Sequence, residues 1–144
     1  MIHKIIPSQI PQFWDTIKFA VLNADNIAEK DRELYLNNLL AFLLCDKAQC
    51  FVRSNEVREL QALFITRIVK DEITGEKSLY ISSLYSFRIV PDSQWKDDVR
   101  VVERFAQSNK CKKIIAVSNN QRVFEIASKL GFVERYRSFA LEVL

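Results

Sequence analysis

The segment Asn120-Gln-Arg-Val-Phe-Glu-Ile-Ala-Ser-Lys-Leu-Gly131-Phe132-Val-Glu134 decides the fold. Asn120 is a helix-capping residue type, because its side-chain oxygen can take a first-turn N–H. Gln121–Leu130 reads as a helix, and Gly131 ends it as a glycine in the left-handed region. Upstream, Ile114–Val117 is an uninterrupted apolar run closed by Ser118-Asn119-Asn120, the pattern of a buried parallel strand. A buried strand leading through an Asn into a capped helix is a crossover unit, so helices must cover a sheet that contains parallel pairing.

Working outward, Asp92 or Ser93 caps a helix to about Ser108, with Trp95, Val99, Val102, Phe105 and Ala106 as its apolar stripe. Pro91 ends a long strand over Ser78–Val90, whose odd positions Leu79, Ile81, Tyr85, Phe87 and Ile89 are expected on one face. Thr74-Gly75 marks a hairpin back to Glu59–Lys70, which is apolar on both faces and so reads as a central, covered strand. Cys50–Arg53 is a short strand. Two helices come first. One opens at Ser8 or Pro11 and runs to about Ala24, with Phe13, Ile17, Ala20 and Val21 inward. The other runs from about Asp31 to Leu44 on Leu36, Leu39, Leu40 and Leu43. Tyr136–Val143 alternates Phe139, Leu141 and Val143 with Ser138, Ala140 and Glu142, and is expected as a last strand. The fold class is α/β (α+β): one domain over residues 1–144, with a mixed, mostly antiparallel central sheet and helices on both faces.

Composition closes off many chemistries. The 144 residues are 49% apolar and 27% charged with a net charge of +3, an ordinary globular balance. Lys and Arg are scattered rather than gathered on one side, so no nucleic-acid partner is expected. The longest apolar run, Leu39–Cys45, is far short of the ~20 residues of a bilayer helix, so no membrane partner is expected either. No signal peptide is visible, and a cytoplasmic location follows. Cys45, Cys50 and Cys111 form no pairing framework, which suits a reducing compartment. His3, the sole histidine, is expected at a frayed chain start, which removes a Ser-His-Asp triad and any multi-histidine metal site. With glycine only at 75 and 131, no Gly-rich phosphate loop can be written.

The element order, together with Asn120 and the Leu130-Gly131-Phe132 turn, resembles the GNAT superfamily of N-acetyltransferases. The likeness in order spans nearly the whole chain; at residue level it is strong over Ile114–Glu134. The chain is also loosely similar to small phage-encoded proteins of this type. The resemblance implies an acetyl-CoA loop of pattern V-x-P-x-x-(Arg or Gln)-x-x-G-x-(Gly or Ala) after the fourth strand. The matching stretch runs from Ile89-Val90-Pro91 to Val99: Pro91 and Gln94 fit, while Asp97 stands for the first glycine and Val99 for the later small residue. Backbone N–H groups at a helix start hold a diphosphate, and glycines permit the close approach. Asp97 and Asp98 are therefore expected to place charge where the phosphates would lie; like charges about 4 Å apart cost roughly 1–4 kcal/mol. The Tyr acid of many members falls at Ala127, and the Ser78–Val90 strand carries no Asp or Glu for a base. No catalytic residue is assigned, and no metal is expected. Tyr80, Tyr85 or Tyr136 could serve as the acid, and a water relay through Ser83 or Ser86 as the base.

Two functional expectations follow. The favoured one is a protein with an eroded acetyl-CoA site, non-catalytic or weakly catalytic, acting by binding or assembly with a protein partner or a second copy. A phage accessory or virion component would suit it, located in the host cytoplasm or the virion. The alternative is an acetyl-CoA-dependent N-acyltransferase working by direct attack of an amine on the thioester. Its carbonyl would be held by backbone N–H groups near Phe87–Ile89. The resemblance then implies cofactor contacts from Phe87, Ile89, Gln94, Trp95, Lys96, Asn120 and Phe124. Structural roles compete for several of these residues: Trp95 as core, Asn120 as a cap, and Asp97 and Asp98 as acids favouring the helix dipole.

Overall fold

A computed structural model describes residues 1–143. The chain runs β1 (Ile2–Ile5), α1 (Ile10–Ala24), α2 (Arg32–Leu44), β2 (Ala48–Ser54), β3 (Leu60–Lys70), β4 (Lys77–Ser86), α3 (Asp92–Ser108), β5 (Lys113–Ala116) and α4 (Gln121–Lys129). The five strands form one sheet in chain order. Pairings from β1 to β4 are antiparallel, and β5 runs parallel to β4. The α/β architecture with helices on both faces stands as expected.

Local sequence explains the helix boundaries. Pro11 lies in the first turn of α1, where its missing N–H would have had no partner. The Asn120 side chain accepts the Arg122 N–H at 2.8 Å. At the other end of α4, Gly131 has φ +92°, its N–H reaches the Ser128 carbonyl, and Phe132 N–H reaches that of Ala127. This pair of bonds is the Schellman arrangement, in which a left-handed residue lets orphan carbonyls be satisfied. At α3 the cap position is taken by Pro91, not by Asp92 or Ser93, and no side chain caps the helix.

Two cores cover the two faces of the sheet. Ile17, Ala20 and Val21 of α1 and Leu39 and Leu43 of α2 pack on Cys50, Val52, Leu63 and Ile65. On the opposite face, Trp95, Val102 and Ala106 of α3 and Ile126 of α4 pack on Phe51, Ala62, Phe64 and Leu79. Each fully buried aliphatic or aromatic side chain adds about 1.5–3 kcal/mol.

Three expectations are corrected. His3 is not frayed: it lies in β1, opposite Val52. Ile114 and Ile115 are only half-buried, because β5 is the edge of the sheet. The odd positions of 78–90 do not share a face. Ile65 pairs with Ser83 but Thr66 pairs with Ile81, so Ser82 is an extra residue in β4. This bulge reverses the alternation. Leu79 and Ile81 face α3, whereas Tyr85 and Phe87 face α1 and α2.

The last expected strand, Tyr136–Val143, does not form; Phe139, Leu141 and Val143 are each more than 90% exposed. A period of two says which side chains would share a face. It does not supply the neighbouring edge that a strand needs for its hydrogen bonds.

One buried ion pair ties α3 to β2. Arg53 donates through Nη1 to Asp98 Oδ1, and through Nε to Gln61 Oε1 at 3.2 Å. Asp98 is fully buried and its Oδ2 has no partner. Burial pushes its carboxyl up, while the Arg53 guanidinium pulls it back down. Losing one member leaves the other charge buried alone. Asp98→Ala is expected to lower stability by about 3–5 kcal/mol, and the double change Arg53→Met, Asp98→Leu to restore most of it. Urea unfolding midpoints of the three proteins check this.

Candidate active site

The bulge also opens the sheet. β4 pairs with β5 only from Ser78 to Ile81, and the last bond, Val117 N–H to the Ile81 carbonyl, is stretched to 3.4 Å. Pairing of β4 with β3 continues to Ser86, and Phe87 N–H still reaches the Gln61 carbonyl at 2.9 Å. In an antiparallel ladder alternate residues point their N–H and C=O groups to opposite sides. The main-chain groups of Leu84 and Ser86 therefore point to the side that β5 has left.

That side is a cleft of about 380 Å³, lined by Ser86, Phe87, Arg88, Ile89, Val90, Trp95, Arg122 and Ile126. Three expected residues meet there: Phe87, Ile89 and Trp95. Trp95 is buried, and its Nε1 hydrogen has no acceptor. Gln94, its neighbour in the first turn of α3, has a buried Oε1 without a donor. Lys96 and Phe124 lie outside the lining, and Asn120 is the cap of α4. The Phe87 N–H is already bonded to β3, so it is not free to hold a carbonyl as expected.

The two acids that the sequence placed at the helix start are not there. α3 begins at Asp92, so Asp97 and Asp98 belong to its second turn. Asp98 turns inward to Arg53, and Asp97 faces solvent with Arg100 3.8 Å away. The carboxylate in the first turn is Asp92. It pairs with two cations of α4, Lys129 at 2.7 Å and Arg122 at 3.1 Å. The Lys129 hydrogen bond and both positive charges hold its carboxyl below the usual value.

On the other face of β4, Asp25 follows the end of α1. Its Oδ2 accepts from Ser83 Oγ at 2.5 Å and from Tyr35 of α2 at 3.1 Å. Ser83 sits beside the bulge and is buried. Burial and the Asp25 charge push the Tyr35 hydroxyl up to about 12. An aromatic group joins this face to the cleft: Phe19 of α1 meets Tyr85 edge-on at 5.7 Å and stacks on Phe87 at 6.3 Å. Phe87 thus touches both sides. Of these residues Ser83, Tyr85 and Phe87 were singled out from sequence. Asp25 and Tyr35 were not, because nothing local marks an acid after a helix as facing a strand 58 positions away.

No protein-family model and no curated protein sequence matches the chain. Solved structures do match in shape. A probable acetyltransferase superposes with a TM-score of 0.75 at 8% identity, covering 100% of this chain and 98% of that one. An aminoglycoside antibiotic 6'-N-acetyltransferase from Acinetobacter baumannii gives 0.70 at 14% identity, with 100% and 97% covered. A predicted acetyltransferase with acetyl-CoA from Clostridium acetobutylicum gives 0.70 at 13% identity, with 99% and 95% covered. The chain has the GNAT acetyltransferase fold. Within that fold, no helix among the described residues is long and apolar enough to cross a membrane.

Because the folded pKa of Asp92 is depressed, its pairing stabilises this GNAT-fold chain above the ordinary value of 3.8 and is lost as the pH falls through the lower folded value. Asp92→Asn is therefore expected to make melting temperature fall less steeply below pH 3.8 than in the wild type. Thermal unfolding across the acid range, at low salt, measures it.

Proposed function

We propose that the chain is an acetyl-CoA-dependent N-acyltransferase in which the Asp25–Ser83 pair receives the proton of the acceptor amine. The observation that carries this reading is the Asp25 carboxylate bonded to Ser83 at the β4 bulge, where the sheet parts. A base must lie within hydrogen-bond reach of the proton it takes, directly or through one intervening group.

The residues present fit the cofactor. Trp95 Nε1 is a buried donor without an acceptor in the cleft wall, Gln94 Oε1 is a buried acceptor beside it, and Asp97 and Asp98 face elsewhere. The first turn of α3 offers N–H groups of the kind that hold phosphates. Phe87, Ile89, Val90 and Ile126 would flank the apolar arm. When bound, the cofactor supplies an activated acetyl thioester. The chain's own part is to hold that group, to exclude water with the Phe19, Tyr85 and Phe87 rings, and to accept a proton at Asp25. Three free thiols fit a cytoplasmic setting for this reaction.

A second reading rests on Asp92. Its bridge to Arg122 and Lys129 occupies the helix start where phosphates would compete for the same two cations. A chain kept closed in that way would act by binding or assembly, with a protein partner or a second copy, as a phage accessory or virion component would.

Acetyl-CoA titration followed by melting temperature separates the two. At 100 times its dissociation constant the ligand is expected to stabilise the wild type by roughly 2.7 kcal/mol. Absence of a shift at millimolar acetyl-CoA defeats the enzyme reading, and a shift gained only in Asp92→Asn favours the closed one. In an acyl-transfer assay that follows thiol release, Asp25→Asn is expected to lower kcat about 10²-fold or more. The acetyl-CoA-induced melting shift is expected to stay the same.

A further inference from the structure

We infer that residues 136–143 add, antiparallel, to the free edge of β5 in a second copy of the chain, so that two copies exchange these segments in a twofold dimer. The inference stands apart from the acyltransferase reading. β5 is the last strand of the sheet, and Ile114 and Ile115 are half-buried because nothing flanks them on that side. A strand edge presents a row of main-chain N–H and C=O groups that another strand can complete. Beyond α4 the chain carries a segment with the matching deficit. Residues 133–143 make no main-chain hydrogen bond among the described residues. The apolar side chains of Phe139, Leu141 and Val143, which alternate as on a strand, are 91%, 92% and 96% exposed.

A second copy is the occupant that meets both deficits. Within one chain the root of the segment is held at the sheet, with Tyr136 beside Tyr80 of β4, yet segment and edge remain unpaired among the described residues. A second copy brings the same edge and the same segment, so one twofold contact uses each of them twice. Charge sets the direction. Lys112 and Lys113, the latter 3.3 Å from Glu76, stand exposed at the start of β5, whereas residues 116–120 at its far end carry no charge. In the segment Arg135 and Arg137 come first and Glu142 comes near the end. Antiparallel pairing sets Glu142 against the two lysines. Parallel pairing would set the arginines there, and like charges facing across strands destabilise a sheet. The area is also sufficient. A buried phenylalanine takes about 150–250 Å² out of water, so Phe139, Leu141 and Val143 of both copies supply on the order of 1,000 Å², the size at which specific interfaces begin.

Light scattering of the wild-type chain from micromolar to millimolar concentration is expected to show a dimer, with amide exchange of residues 137–143 slowing as the dimer forms. Two variants alter positions that are exposed and make no main-chain hydrogen bond in the single chain, so the monomer fold, read by circular dichroism, is expected to hold. One is the double change Ala140→Pro, Leu141→Pro. Consecutive strand residues point their N–H groups to opposite sides, so one of the two removes a bond to β5 whatever the register. The other is Leu141→Asp, which places a charge in the apolar contact. Each is expected to raise the dimer Kd about thirtyfold or more. Glu142→Lys is expected to raise it about fivefold, and Lys112→Glu added to that variant to recover most of the loss. A chain that stays monomeric to millimolar concentration, or a dimer that survives both the proline and the aspartate variants, overturns the inference. So does protection of residues 137–143 that is independent of concentration, which would put the segment on its own edge. A double charge reversal that recovers nothing overturns the antiparallel pairing.

Discussion

The extra residue in β4 governs the rest. Without Ser82, the alternation begun at Leu79 and Ile81 would carry Ser83, Tyr85 and Phe87 on a different phase, and the ladder with β5 could continue. With it, a strand that serves the α3 core in its first half serves the α1–α2 core in its second. The twist that accompanies a bulge turns β4 away from β5, and a cleft opens beside main-chain groups that no strand covers. A ligand site in this molecule is thus a consequence of one unpaired position, placed between a fully paired strand on one side and a short edge strand on the other.

Electrostatics is arranged around that opening with some economy. Three carboxylates sit close together on α3, and each has a different fate. Asp98 is drawn into the core by Arg53, Asp97 stays in water, and Asp92 is held by two cations of the neighbouring helix. Only Asp92 bears on an anion at the helix start. It also brings Arg122 and Lys129 to that place, so the same contact both supplies positive charge and neutralises it. A diphosphate would have to displace one exposed carboxylate from two exposed cations, a contact of small net strength in water. That is a lower barrier than two fixed charges in the path of the phosphates.

Much of the fold was legible in local pattern. The α4 segment carries its start in Asn120 and its stop in Gly131, and both act in the structure as their chemistry requires. Helices α1, α2 and α3 were readable because apolar residues recur at helical spacing. The strand β3 was readable because it is apolar on both sides. The bulge was not, since Ser82 and Ser83 are both small and polar and either could have been the odd one out. Nor could the reading of Asp97 and Asp98 succeed from position alone. A carboxylate's effect depends on the direction it points, and that direction is set by Arg53, 45 residues away.

Local sequence determined the four helices and the strands β2 to β5, though not β1, that they build a mostly antiparallel sheet covered on both faces, and that one histidine and two glycines write neither a multi-histidine metal site nor a glycine-rich phosphate loop. These follow from periodicity, capping and the absence of residue types, all of which act over a few positions. Tertiary structure alone decided where charge and hydrogen-bonding groups face. It buried Asp98, paired Asp92 across two helices, joined Asp25 to Ser83, and left the alternating residues 139–143 without a neighbouring edge. Such pairings depend on strand register and on how far a side chain reaches, and neither is encoded within the segment that carries the residue.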